Sequence, residues 1–361
     1  MTVLYAGPAV PVVGAAAVSA LGFEWCGLAA ALEAGEPALT RARDVATSPV
    51  ILGAEVPELS VPRGSAELKA ARLVSRPARF AAHALGRALE CAGWADGYEE
   101  VGLYLGVGAA SGPPEQMRAM LRASLVDGRF CARRFSTDGL AAVNPLFAFH
   151  LLNNLTLCHG AIAEGLSGPN AAFFSRGAGT VMALAEGSRA LQEGECERVL
   201  TGGADSALYA GTWLELVRDG RAAGGLVPGE GAAILALSRR ADHPLAWVTG
   251  CAVEGERGTA LEDRLTSILA DLSGADDAEE PIVLAAWGDP PRTAIGSRLR
   301  GRRHLLDLTA VVGEALAASP ALGWAAGLDL LCTGRARRVI VVSAGPDDCL
   351  AAVGLARGDG A

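Results

Sequence analysis

The chain has 361 residues, 51% of them hydrophobic and 20% charged, with a net charge of -9, a pI near 5.2 and a mean hydropathy of +0.30. That length and apolar content support a large core in one big or two medium domains and exclude a disordered chain. The acidic balance, with no basic stripe, argues against nucleic acid as a partner, and no run of about 18 uninterrupted apolar residues predicts a membrane span.

Residues 1–21 lack a basic leader and a cleavage pattern, so the sequence predicts a cytoplasmic protein. The eight cysteines, Cys26, Cys91, Cys131, Cys158, Cys196, Cys251, Cys332 and Cys349, form no CxxC pair. A zinc site is not expected, the thiols are expected to be reduced and buried, and no metal or other cofactor is called for. Lys69 is the only lysine, in a chain rich in Arg, Ala and Gly. That reflects a GC-rich coding sequence and carries no chemistry. Arg298, Arg300, Arg302 and Arg303 read as a solvated loop in preference to a docking patch for an acidic protein.

Taken in order, residues 10–20 (VPVVGAAAVSA) predict a first buried strand, and residues 25–32 a helix entered after Gly22 and closed at Gly35. Residues 37–63, of mixed polarity with several prolines, predict loop. Residues 66–92 predict a long helix with an apolar stripe through Leu73, Phe80, Ala84 and Leu85. Residues 101–109 predict a strand, and a helix carrying Gln116, Met117, Met120 and Leu121 follows. Residues 140–157 are apolar and are expected near a dimer interface and a pocket. Residues 171–175 predict a short strand covered on both faces, residues 181–192 a helix, and residues 198–208 and 227–238 two strands. This first part reads β-α-β-α-β-α-β-β. Near residues 239–243 the pattern restarts, with strands at 246–255 and 281–288, helix over 305–331, and strands at 338–344 and 350–356. Two units are expected, 1–240 and a shortened 241–361.

The chain is organised around residues 168–180 (GPNAAFFSRGAGT): a turn, a strand, a sharp bend and a helix start. Such a junction is where enzymes place a nucleophile, because the helix N-terminus stabilises an anion. Here Gly177 stands at the tip between Arg176 and Ala178, and none of the three can attack a carbonyl. Cys158 and His159 are adjacent and therefore point in different directions, so a buried thiol beside a structural histidine is the favoured reading. Asp205 and Ser206, in a glycine-rich loop, read as turn residues.

The segment resembles the nucleophile elbow of the β-ketoacyl synthases, which reads G-P, six small or apolar residues, then A-C-A-S-G; the family's cysteine falls on Gly177. Ser19, Leu21, Gly22, Trp25 and Leu28 are similar to the opening of the same family. The resemblance implies a thiolase fold, an α/β architecture of two βαβαβαββ halves in five αβαβα layers. It also implies which residues have changed. The first family histidine falls on Trp287, the lysine on Thr309 and the second histidine on Glu314, and the C-terminal G-F-G-G gate is replaced by residues 343–346 (SAGP). Loss of the thiolate and of both histidines removes what condensation needs.

Residues 201–208 (TGGADSAL), Trp213 and residues 227–235 (VPGEGAAIL) resemble the chain length factors, or ketosynthase β subunits, of type II polyketide synthases. Their usual elbow glutamine is absent, and the segment before VPGEG is shortened. The resemblance implies a subunit without condensing activity, paired as a heterodimer with an active ketosynthase and served by an acyl carrier protein, with no nucleic-acid or membrane partner. It also implies a tunnel wall made by Pro113, Gln116, Met117 and Met120, with Trp213 as a further candidate. Two alternatives remain open: a thiolase-fold acyltransferase or thioesterase using other residues, and a homodimeric acyl-binding pseudoenzyme.

Overall fold

A computed structural model describes residues 2–41, 52–59, 74–96, 98–109, 113–220, 222, 227–255, 259–272, 280–286, 291–299, 304–345 and 348–358. The first half contributes strands β1 (Thr2–Tyr5), β2 (Val10–Val18), β3 (Gly102–Val107), β4 (Asn170–Phe174), β5 (Arg198–Ser206) and β6 (Glu230–Ser238). Its helices are α1 (Leu28–Ala34), α2 (Arg76–Cys91), α3 (Pro114–Ala123), α4 (Leu155–Glu164), α5 (Ala178–Glu193) and α6 (Ala210–Arg218). The second half contributes β7 (Ala246–Glu254), β8 (Ile282–Ala286), β9 (Leu305–Asp307), β10 (Arg338–Ala344) and β11 (Leu350–Ala356), with helices α7 (Leu261–Leu272), α8 (Pro291–Arg298), α9 (Leu308–Val312) and α10 (Ala318–Cys332).

The strands run β9-β8-β10-β11-β7-β2-β6-β5-β3-β4, with β1 added against β7. Numbered one to five within each half, both halves have the order 3-2-4-5-1. In both, the last strand is antiparallel to its neighbours while the second and third pair in parallel. The halves join where Ala246, Trp247 and Val248 of β7 pair with Val12, Pro11 and Val10 of β2.

Side-chain alternation sorts these strands into layers. In the first half Tyr104, Val199 and Leu235 face a core shared with α5 and α10, while Leu103, Leu105, Leu200 and Ile234 face α2. In the second half Val283 and Val341 face the same central core, while Ile282, Leu284, Ile340 and Val342 face α7. Two helices therefore lie between two sheet halves, and helices cover both outer faces. This is the five-layered α/β arrangement of the thiolase fold. Helix α10 is buried on every side from Ala318 to Leu331, as a predominantly apolar helix in a central layer must be; its buried Asp329 is satisfied by capping α1.

Two sequence expectations need correction, and one strand is unexpected. The strand at residues 171–175 is not covered on both faces. Among the described residues strand β4 pairs only with β3; it lies at the sheet edge and has exposed residues alternating with half-buried ones. The stretch 305–331 is not one helix: Asp307 caps Ala310 N at 3.0 Å, so β9 ends and α9 starts there, and the chain breaks at Gly313 before α10 begins. The N-terminal β1, which carries no alternation signal of its own, is specified by its pairing with β7. The expected helix 66–92 is seen as Arg76–Cys91, its earlier part lying outside the described residues.

Candidate functional site

Strand β4 ends at Phe174, the chain bends through Ser175 and Arg176, and Gly177 opens α5. Gly177 has φ 137° and ψ -76°, a region that side-chain-bearing L-residues rarely enter. A Cβ placed on it would lie 3.2 Å from Gly345 Cα and 3.4 Å from Gly345 N. The elbow tip and the gate position that follows β10 thus face each other at backbone distance. Beside the tip, the Arg176 guanidinium pairs with Glu215 of α6.

The loop at 313–317 closes over the first turn of α5. Glu314 is held in the fold by its backbone: its N–H donates to Val227 O at 2.8 Å, and its carbonyl accepts from Gly229 N at 2.9 Å. The VPGEG stretch therefore anchors this loop. Thr180 Oγ1 donates to Ala317 O at 2.5 Å and ties the loop to α5. Leu316 sits at φ 54°, a left-handed conformation that costs a non-glycine residue.

Two carboxyl groups meet at this loop. Glu314 is 2% exposed and Asp205 1% exposed. Glu314 Oε1 accepts from Leu316 N and Ser319 Oγ, both at 2.8 Å. Glu314 Oε2 is buried with no hydrogen-bond partner among the described residues. Asp205 Oδ1 accepts from Ser206 N at 2.7 Å and Oδ2 from Ala317 N at 3.3 Å, and Gly108 leaves the room its carboxyl occupies. Burial pushes the Glu314 carboxyl up to about 8, with Asp205 and Asp307 adding to the rise against the hydrogen bonds from Ser319 and Leu316. Burial also pushes Asp205 up to about 7, opposed by its backbone hydrogen bonds and by Arg176. Both groups hold protons where an ordinary carboxyl would have lost them.

Asp205 is therefore not a turn residue, as the sequence suggested, but a wholly buried acid at the end of β5. The signal for it was its place within the buried strand 198–206, whose burial runs unbroken through it. Thr309 is also structural. Its single hydroxyl proton is shared between two acceptors, Ala286 O at 3.1 Å and Asp307 Oδ1 at 3.0 Å, which seats α9 against the end of β8. Trp287 lies outside the described residues, as do Arg300, Arg302 and Arg303.

The predicted wall residues fall into two places. Pro113 precedes α3, Gln116 and Met117 are half-buried on it, and Met120 is 9% exposed. Gln116 Oε1 accepts from Asn144 N at 3.3 Å. Trp213 packs elsewhere, against the cluster of Ala207, Leu216 and Leu316 beside the 313–317 loop. Cys158 lies on α4 and takes its bond from Asn154, at 3.9 Å, and not from His159. No group of three potential metal ligands is found among the described residues, and no single helix among them is long and apolar enough to cross a membrane.

The repeated strand order and the glycine-capped elbow define a thiolase-fold protein of the ketosynthase type. The family model for the β-ketoacyl synthase N-terminal domain matches residues 58–243, more than half of the chain, and the protein belongs to that family. Its structure is similar to the ishigamide ketosynthase/chain length factor, with TM-score 0.76 and 21% identity over 97% of this chain and 100% of that one. It is similar to a β-ketoacyl synthase from Burkholderia phymatum STM815, with TM-score 0.74 and 20% identity over 97% and 99%. A third similar structure is described as a type II PKS acyl-carrier protein in complex with its ketosynthase bound to the hexaketide, with TM-score 0.71 and 14% identity over 97% and 99%. These are likenesses of fold. No curated protein sequence matches the chain.

Proposed function

We propose that the protein is a non-catalytic, chain-length-factor-like subunit that pairs with an active ketosynthase and shapes the tunnel for a growing polyketide chain. The observation that carries this reading is the backbone at Gly177. Glycine brings no nucleophilic side chain to the tip of the strand-to-helix bend, and its backbone lies close against Gly345. Glu314 offers no substitute base: its carboxyl is enclosed and bonded within its own loop.

Pairing is supported by the surface. The edge strand β4 exposes Phe174 at 57%, and Ile162 of α4 is exposed at 80%. Phe149, Leu151 and Leu152, in the apolar stretch 140–157, are exposed as well. An unpaired strand edge beside exposed apolar side chains is the type of surface that proteins cover with a partner. On this reading the complex is cytoplasmic, works with an acyl carrier protein, needs no cofactor, and divides near residue 240 into two thiolase-like halves. Pro113, Gln116, Met117 and Trp213 are half-buried and have accessible surface to offer a chain, whereas Met120 is buried.

Native mass spectrometry after co-expression with a cognate ketosynthase tests the pairing. A one-to-one heterodimer is expected, weakened at least tenfold by Phe174→Asp or Ile162→Asp. A homodimer or monomer that ignores the ketosynthase, or unchanged products at full rate without this chain, overturns the reading.

A further inference from the structure

Against the expectation that the thiols are buried, three of the eight cysteines, Cys26, Cys91 and Cys332, are exposed, and they border elements from distant parts of the sequence that two contacts join. Asp329 of α10 caps α1: its Oδ2 accepts from Gly27 N at 3.1 Å and Ala29 N at 3.0 Å. Cys26 immediately precedes that cap, and Cys332 lies three residues beyond Asp329, one turn along the same side of α10. On the other flank, Arg87 of α2 reaches Glu24 at 3.8 Å, and Cys91 lies one turn beyond Arg87. The loop holding Cys26 is thus pinned between the C-terminal ends of two helices that each end in a cysteine.

The electrostatics agree with this placement. Burial raises the Cys26 thiol above its ordinary value, with Asp329, Glu24 and Cys91 adding to the rise. Burial pushes the Cys332 thiol up to about 11, with Cys26, Asp329 and Cys91 adding and Arg357 opposing. Cys332 is open to solvent on one side, and on the other its thiol donates to Leu245 O at 3.7 Å.

We propose that Cys26 and Cys332 are a modification site, closing to a reversible disulfide when the protein meets a hydroperoxide, with Cys91 as the neighbouring thiol able to exchange into the bond. The thiolate of Cys26 attacks the peroxide oxygen, the O–O bond breaks, and the other oxygen leaves with the thiol's proton, as water from hydrogen peroxide or as an alcohol from an alkyl hydroperoxide. The Cys332 sulfur then attacks the resulting sulfenic acid, the S–S bond forms and water leaves. Two thiols lose two electrons and one hydroperoxide gains them. The thiolate is the reacting form, so protonated thiols make closure slow at neutral pH and faster as pH rises. The bond would tie the start of α1 to the end of α10, away from the elbow, so it stands or falls separately from the subunit reading.

The test treats the purified chain with hydrogen peroxide at neutral and mildly alkaline pH. Non-reduced digests are read by mass spectrometry alongside free-thiol titration and the melting temperature. A linked Cys26–Cys332 peptide, reversed by a thiol reductant, formed several-fold faster at the higher pH and absent from Cys26→Ser and Cys332→Ser, is the expected result. A raised melting temperature in the oxidised wild type and persistence of the link in Cys91→Ser are expected with it. Oxidation to sulfinic acid without a link, or linkage confined to other cysteines, overturns the proposal.

Discussion

The carboxyl groups of Asp205 and Glu314 are held by consecutive backbone N–H groups of one loop, Ala317 N donating to Asp205 at 3.3 Å and Leu316 N to Glu314 at 2.8 Å. Two acids from distant segments share one short piece of chain beside the elbow, and both are enclosed. Each ionises in the folded protein well above the range of an unfolded carboxyl, at about 7 and about 8. The folded state therefore binds more protons than the unfolded one between pH about 4 and about 8.

The consequence is a stability that falls as pH rises. What these two groups contribute is fully present below their ordinary values near 4 and is lost as pH climbs through about 7 and about 8. With about 1.4 kcal/mol per pKa unit, the decline across that window is on the order of several kcal/mol. Thermal melting should show a higher midpoint at pH 5.5 than at pH 8.5, by roughly 5 degrees or more. Glu314→Gln should flatten the slope. A midpoint that rises toward pH 8.5, or an unchanged slope in the variant, contradicts the burial of this pair.

Restoring the family cysteine should not restore condensation. Gly177→Cys puts a Cβ 3.2 Å from Gly345 Cα at φ 137°, which costs roughly 1–3 kcal/mol in backbone strain. Denaturant titration should show that loss, and assays with acyl and malonyl thioesters should show no carbon–carbon bond formation. Measurable condensation by this single variant would refute the account of the elbow.

The VPGEG stretch is anchored by a second buried acid, Glu230, which is fully buried. It accepts from Val56 N at 3.0 Å, Ser206 Oγ at 3.0 Å and the Arg76 guanidinium. Glu230→Ala strips these partners at once and should cost about 3–5 kcal/mol, because buried donors lose their acceptor and Arg76 keeps Glu55, at 3.6 Å, in place of the closer carboxylate. Urea unfolding checks it; a loss below about 1 kcal/mol would mean that the cluster is marginal.

Along α3 the two methionines should behave differently. Met120 is 9% exposed, and Met120→Ala should destabilise by roughly 2–3 kcal/mol through a cavity. Met117, half-buried, should cost little on conversion to Ala, and in the heterodimer that change should lengthen the product. Product profiling by mass spectrometry separates the two; identical profiles for wild type and Met117→Ala would remove α3 from the tunnel wall.

The sequence by itself determined most of the strands. Alternating and fully apolar runs such as residues 101–109 and 350–356, spaced by helical patterns, sufficed for the β-α-β-α-β-α-β-β order of the first part and for four strands after it, because burial of one face sets a period of two in strands and 3.6 in helices. Two matching halves followed from the family resemblance, and β9, α7 and α8 came only from the structure. The changed elbow was legible through the family resemblance, which lays the motif's cysteine on Gly177. What only the tertiary structure decided lies where neighbours distant in sequence set the environment. Asp205 reads as a turn residue until Ala317 and Gly108 enclose it, and β4 reads as a covered strand until its place at the sheet edge exposes Phe174. Residues 305–331 read as one helix until the Asp307 cap and the hydrogen bonds of Glu314 to Val227 and Gly229 break it. Desolvation and edge exposure are properties of what packs against a residue, and the local pattern carries no record of them.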